Sequence, residues 1–388
     1  MSPIYLDYNA TTPIDPEVAE AMLPYLYEHF GNPSSAHWFG QRTKQAVEQA
    51  RRQVASLLCC HPDEVIFTSG GSEADNHAIK GVALANRERG NHIVTSAIEH
   101  PAVLEVCAYL ETQGFEVTYL PVNADGLVEV EAVEQALRSQ TVLITIMHAN
   151  NEVGSIQPIP AIARLARQRG IIVHTDAAQS VGKIPTSVEE LGVDLLTVAG
   201  HKLYAPKGVG VLYRRRGVRL EKLIHGADHE HGMRAGTENV LEIVGLGTAC
   251  DIARRDLRRN MSHMRQMRDR LEAGLRDRLA DIRVNGPAEL QLPNTLSMSF
   301  AHLEANRLLE AMEGVAASSG AACHADTVAV SSVLTAMRVP LEFAMGTIRF
   351  SVGKMTTPEE VDRAIAIVVE AVQRLRHQEP ETAQGAQR

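Results

Sequence analysis

Ile171-Ile172-Val173-His174-Thr175-Asp176-Ala177-Ala178-Gln179 opens as a short apolar run rich in β-branched residues and closes on a carboxylate. Apolar residues that follow one another, without polar alternation, fit a strand covered on both faces. The pattern recurs at Val65-Ile66-Phe67-Thr68, His92-Ile93-Val94-Thr95, Val142-Leu143-Ile144-Thr145-Ile146 and Leu195-Leu196-Thr197-Val198. Helical stretches lie between these runs: Glu73 to Arg89, Pro101 to Gln113, Val130 to Ser139 and Pro160 to Arg169. Gly90 and Gly114 end two of them and Gly170 follows another, as glycine does at helix C-termini. The fold class is therefore α/β, with a mostly parallel sheet.

From about Val240 the pattern changes to a long charged amphipathic stretch reaching about Ala280. Met261, Met264, Met267, Leu271 and Leu275 form an apolar stripe suited to core packing. Strand-like segments at Asn294 to Phe300 and Gly346 to Ser351 follow, then a helix from Pro358 to about His377. The expected division is a large domain over 16–257, a smaller α+β domain from 1–15 and 258–376, and a polar tail at 377–388.

The 388 residues are 45% hydrophobic and 22% charged, with net charge −9, a balance suited to a soluble enzyme. The acidic balance argues against direct nucleic-acid binding, which needs clustered Lys and Arg. Arg214-Arg215-Arg216 and Arg254-Arg255 with Arg258-Arg259 read as solvated faces. Five cysteines, without a Cys-x-x-Cys, give neither a disulfide framework nor a zinc or redox spacing. No run has the length of a membrane span, and the first residues lack the features of a signal peptide. A reducing cytoplasm is the expected compartment.

Ligands of open parallel sheets bind at the carboxyl ends of strands. After Val65–Thr68 comes Ser69-Gly70-Gly71-Ser72-Glu73, a glycine turn opening a helix and offering N–H groups to an anion. Later strand ends bring Glu99-His100-Pro101, then His148-Ala149-Asn150-Asn151, then Asp176 with Gln179, then Gly200-His201-Lys202. A desolvated carboxylate at Asp176 needs a cationic partner, such as a protonated pyridine nitrogen. A buried amine at Lys202 loses its proton readily enough to bond an aldehyde. Any one of these has a bland alternative as a turn, a cap or a packed side chain. In chain order they supply what a phosphate-bearing pyridine aldehyde needs.

Leu6-Asp7-Tyr8-Asn9-Ala10-Thr11-Thr12, Gly31-Asn32-Pro33-Ser34-Ser35, Thr68 to Asn76, Ala149 to Gly154, Thr175 to Gln179 and Gly200 to Gly208 resemble class V fold-type I pyridoxal-phosphate enzymes. Arg234-Ala235-Gly236-Thr237-Glu238-Asn239 and Ser318-Ser319-Gly320-Ala321-Ala322-Cys323 narrow the resemblance to the cysteine desulfurase and selenocysteine lyase group. It extends from about Tyr5 to about Arg374. The resemblance implies a seven-stranded large domain with a smaller α+β domain, and pyridoxal 5'-phosphate as cofactor. By the same resemblance Lys202 would bond the cofactor aldehyde, and His100 would stack on the ring and shuttle protons. Asp176 would pair with the pyridine nitrogen and Gln179 with the phenolic oxygen. Asn150 would lie beside that oxygen and the substrate. Gly71, Ser72 and His201 would hold the phosphate, with Thr237 reaching it from the partner subunit of a homodimer. Arg349 would grip the substrate carboxylate, a task suited to arginine's fork.

Cys323 would take sulfur from L-cysteine as a persulfide, leaving L-alanine, and pass it to an acceptor such as an iron–sulfur scaffold protein. Its setting, Ser318 to Val330, is small and polar, suited to a mobile loop. Cys59, Cys60, Cys107 and Cys250 read as packing residues. The chain departs from relatives at Ala199, often Ser, at Ser72, often Thr, and at His225-Gly226-Ala227-Asp228-His229-Glu230-His231. That last cluster matches no metal spacing and reads as a border of the site near Thr237. No metal is expected. The rival readings are a selenocysteine lyase, an aminotransferase and a non-catalytic sulfur-carrier scaffold of the same fold.

Overall fold

The structure, a computed structural model, describes residues 2–319, 321–324 and 327–378. Its main sheet has seven strands in the order Val65–Thr68, Gly210–Arg214, Leu195–Ala199, Ile172–Asp176, Thr141–Thr145, His92–Ser96 and Glu116–Leu120. All pair in parallel except Gly210–Arg214, which runs antiparallel to both neighbours. The five strands expected from apolar runs lie almost wholly buried within it. Glu116–Leu120 is an edge strand, largely half-exposed or exposed. Its mixed composition, Glu-Val-Thr-Tyr-Leu, carries no buried-strand signal. Gly210 lets the sheet close tightly, because a Cβ there would lie 2.6 Å from the Val198 carbonyl oxygen and 2.7 Å from Gly70.

Apolar cores cover both faces of this sheet. A separate core surrounds a second, antiparallel sheet of Ser318–Ser319, Thr347–Ser351, Thr295–Phe300 and Ile282–Asn285. The helix Val240–Arg276 joins the two: Ile243, Leu246 and Cys250 pack in the first core, while Met264, Met267, Leu271 and Leu275 pack in the second. It crosses the expected boundary at 257 without a break. The final helix is Pro358–Gln378, and the expected tail beyond it lies outside the described residues.

The N-terminal segment ties the smaller sheet to the large one. Ile4–Tyr5 pairs in parallel with Val315–Ala316, and the Asn9 N–H donates to Ser351 Oγ at 2.9 Å. Two further helices, Pro16–Tyr27 and Trp38–Leu58, then pack against Val240–Arg276. Cys107 and Cys250 are buried as expected, but Cys59 is exposed. It caps the helix Trp38–Leu58 in the left-handed region, at φ 56°, which turns its side chain out of the core. The arginine clusters are paired at the surface, Arg216 with Asp63 at 2.6 Å and Arg255 with Glu17 at 3.0 Å.

Candidate active site

The carboxyl ends of the parallel strands and the N-terminal segment line a cavity of about 340 Å³ that opens to solvent. Eight residues singled out from the sequence line it: Gly71, Ser72, His100, Asp176, Gln179, His201, Lys202 and Arg349. Local rules explain their placement. Gly70, at φ 151°, turns the chain as only glycine does readily, and the helix Gly71–Ala85 starts at once. His100 is the N-cap of Pro101–Thr112, its Nδ1 accepting the Ala102 N–H at 3.1 Å. In the neutral ring the proton therefore sits on Nε2. Glu99 fixes the approach to this cap. Its carboxyl, buried and raised to about 8 by desolvation, accepts from Ser96 Oγ and from the Met147 N–H.

Asp176 ends its strand buried, with Oδ1 accepting the Ala178 N–H at 2.8 Å. Burial pushes its pKa up, while that N–H, His100 and Lys202 pull it down. Asp75, from the helix Gly71–Ala85, is also buried and shares the cavity wall. Desolvation and the Asp176 charge push its carboxyl well above the usual range. Two adjacent buried carboxylates do not both ionise. Of the two, Asp176 is the one beside Lys202, whose charge favours its ionised form.

Lys202 Nζ donates to the carbonyls of Asn9, at 2.5 Å, and Ala10, at 2.8 Å. Burial, with Arg349 next, lowers its pKa to about 8. His100 opens to solvent through the cavity, yet crowding by protein depresses its pKa, so the ring is neutral at pH 7. His201 is lowered to about 4 by burial, then by Lys202, and bonds Thr11 Oγ1 at 3.1 Å. It offers the cavity a neutral ring rather than a charge. The Arg349 guanidinium reaches Asp7 Oδ1 at 2.8 Å, Ser318 Oγ at 2.9 Å and the Asn151 carbonyl at 3.2 Å. Its buried Nε has no partner among the described residues.

Asn150 and Thr237 do not line this cavity. Asn150 is fully buried and spent on its own turn: its amide donates to the Ile98 carbonyl, and its Oδ1 accepts the N–H groups of Glu152 and Val153. Its neighbour Asn151 lines the cavity instead, which corrects the assignment by one position. Thr237 is exposed and does not line the cavity of its own chain. Cys323 lies on a hairpin, Ala321–His324 against Thr327–Val330. Its side chain lies outside the described residues. The strand leading into that hairpin starts at Ser318, beside Asp7 and Arg349.

Asn9, in the N-terminal segment, is the hub of the site. Its carbonyl takes Lys202 and Gln179, its Oδ1 takes Asn294 and Lys183, and its Nδ2 donates to Thr295 and Asn151. A polar residue in a segment without periodicity gave no signal of this. In the histidine-rich segment, Glu230 is spent on Arg51 and the Phe67 N–H, each at 2.8 Å. Arg234 grips Glu73 of the glycine turn at 2.9 Å.

The aminotransferase class-V family profile matches residues 4–364. A cysteine desulfurase IscS of Dictyoglomus turgidum is 47% identical over 375 residues, 96% of this chain and 95% of that protein. The solved structure of a NifS-like protein superposes with a TM-score of 0.90 at 40% identity, over 96% of this chain and 99% of the other. That of SspA in complex with cysteine gives 0.80 at 37%, over 91% and 100%. The chain belongs to the class-V aminotransferase family and, within it, groups with the cysteine desulfurases.

Proposed function

We propose that this protein is a cysteine desulfurase that holds pyridoxal 5'-phosphate on Lys202 and transfers the sulfur of L-cysteine to Cys323. One observation carries the reading: Lys202, with its pKa near 8, shares one cavity with Asp176, His100 and Arg349. The relatives named as cysteine desulfurases, and the similar SspA structure holding cysteine, support this substrate class.

The donor set fits the cofactor. Asp176 offers a pyridinium the anion it needs, and His100 offers a ring to stack on. Gly71 opens a 15-residue helix whose first N–H groups would face a phosphate, and a Cβ there would crowd the Ala199 Cβ at 3.3 Å. The hydroxyl of Ser72 and the ring of His201 complete that cradle, and Gln179 with Asn151 would face the phenolic oxygen. When bound, the cofactor supplies an aldehyde for the substrate amine and a ring that accepts electron density.

The protein's own groups do the rest. Arg349, whose guanidinium lines the cavity, holds the substrate carboxylate. Lys202, once displaced, is a base of suitable pKa for the Cα proton, with His100 beside it. The Cys323 thiolate attacks the substrate sulfur. An S–S bond forms, the substrate C–S bond breaks, and the carbon fragment keeps that electron pair and takes a proton to give alanine. The persulfide then passes to an acceptor protein, such as an iron–sulfur scaffold, in the cytoplasm. Thr237, exposed in one chain, completes the phosphate site of a second copy in a homodimer.

Cys323→Ser should abolish sulfur release from L-cysteine while the visible cofactor absorbance persists. Mass spectrometry of the wild type after L-cysteine should find one added sulfur on Cys323. Full sulfur release by the variant would sink the scheme. Retained activity toward selenocysteine alone would favour the lyase reading.

A further inference from the structure

Lys183 is a buried lysine that the mechanism above leaves unused. It is 5% exposed and lies one turn after Gln179, in a turn where the Val181 N–H bonds the Ala177 carbonyl and the Lys183 N–H the Ser180 carbonyl. Its amine donates to Gln179 Oε1 at 2.8 Å and to Asn9 Oδ1 at 3.3 Å. Burial, with Lys202 and then Arg349, depresses its pKa well below the usual lysine range. Charged or neutral, an amine has at least two N–H groups, so both bonds survive in either state.

A glutamine amide has two different ends. With nothing to choose between them, Gln179 could present oxygen or NH₂ to the cavity. The amine takes the oxygen end. The other end donates to the Asn9 carbonyl at 3.0 Å and is left as the end available to a ligand. Asn9 is fixed by the same logic, since its Oδ1 also accepts from Asn294 at 2.9 Å while its Nδ2 donates to Thr295 at 2.8 Å.

We infer that Lys183 is a positioning residue that locks Gln179 with its NH₂ toward the cavity, making it an obligate hydrogen-bond donor to the phenolic oxygen of the bound cofactor. The inference rests on the proposed pyridoxal-phosphate reading. A donor there stabilises the ionised oxygen, and an amide turned the other way would oppose it with its own oxygen.

The test titrates the visible absorbance of the loaded protein with pH, and measures the dissociation constant of pyridoxal phosphate from the apoprotein. Lys183→Met keeps the side-chain length and removes the donor. It should raise the spectral midpoint by about one pH unit and weaken cofactor binding about tenfold. Gln179→Ala should do the same, and adding Lys183→Met to it should move the midpoint no further. A Lys183→Met protein with the wild-type midpoint and only a lower melting temperature would overturn the inference, as would an equal shift in the Gln179→Ala background. Should Lys183→Met not accumulate in soluble form, Lys183→Gln keeps an N–H donor. It should hold the wild-type midpoint, and a midpoint displaced as far as that of Gln179→Ala overturns the inference. A wild-type protein that takes up no pyridoxal phosphate fails the parent reading before any variant is compared, and the inference falls with it.

Discussion

The lowered pKa of Lys202 has a kinetic consequence. Only the neutral amine attacks an aldehyde, and the folded chain holds this pKa near 8. Below that value each pH unit leaves about a tenth as much neutral amine. Capture of pyridoxal phosphate by the apoprotein, followed by absorbance in stopped flow, should accelerate about tenfold per unit up to roughly pH 8 and then level off. A profile still climbing through pH 10 would mean that Lys202 titrates as an exposed lysine. Lys202 and Asp176 were legible from the sequence because Asp176 closes a buried strand and Lys202 follows one within a turn, where charge is costly and therefore needs a purpose. Asn150 and Asn151 were not separable in this way. Which one faces the cavity depends on Asn150 Oδ1 accepting two N–H groups of the next turn, a local closure that composition does not encode. Asn9 was invisible for a related reason, as its partners lie up to 286 residues away along the chain.

At the scale of elements, the segment around Glu230 carries strain that a buried ion pair offsets. Glu230 and His231 both lie in the left-handed region, at φ 48° and 56°, an arrangement that costs bulky residues about 1–2 kcal/mol each. Both nitrogens of the Arg51 fork meet the Glu230 carboxylate at 2.8 Å, the Phe67 N–H adds a third bond, and both side chains are almost wholly buried. Removing one partner strands the other charge. Arg51→Met should lower unfolding stability by about 3–5 kcal/mol in chemical denaturation. The double variant Arg51→Met with Glu230→Met should recover part of that loss. A cost under about 1 kcal/mol for the single variant would show that the pair is not what holds the segment. None of this was legible beforehand, because the histidines drew attention and the partner of Glu230 is 179 residues away. The strands and the long helix were legible, since burial on both faces writes continuous apolar runs and a helix writes its stripe. The edge strand Glu116–Leu120 and the antiparallel Gly210–Arg214 escaped, the first for want of burial and the second for its glycine start.

For the whole molecule, the exposed apolar side chains are unevenly spread. Leu23, Leu26, Tyr27, Phe30 and Trp38 are 47%, 58%, 64%, 73% and 66% exposed, and all fall within one short stretch of chain. Trp38 stacks on Phe39 at 3.8 Å, which in turn meets Phe30 at 5.3 Å. An apolar face of this kind is costly in water and marks an interaction surface. The same chain exposes Thr237 away from its own cavity. A second copy seated on the apolar face would cover it, and a dimer is also what the proposed contact of Thr237 with a neighbouring phosphate site requires. Light scattering should therefore give twice the chain mass, and Leu26→Glu with Trp38→Glu should give a monomer. The monomer should bind pyridoxal phosphate at least tenfold more weakly, the equivalent of one lost hydrogen bond to a charged group, about 1.5–3 kcal/mol. Thr237→Ala should weaken binding by a similar factor yet remain dimeric, separating the contact from the assembly that supplies it. A monomeric wild type with full cofactor affinity would confine the phosphate site to one chain and leave the apolar face to some other partner.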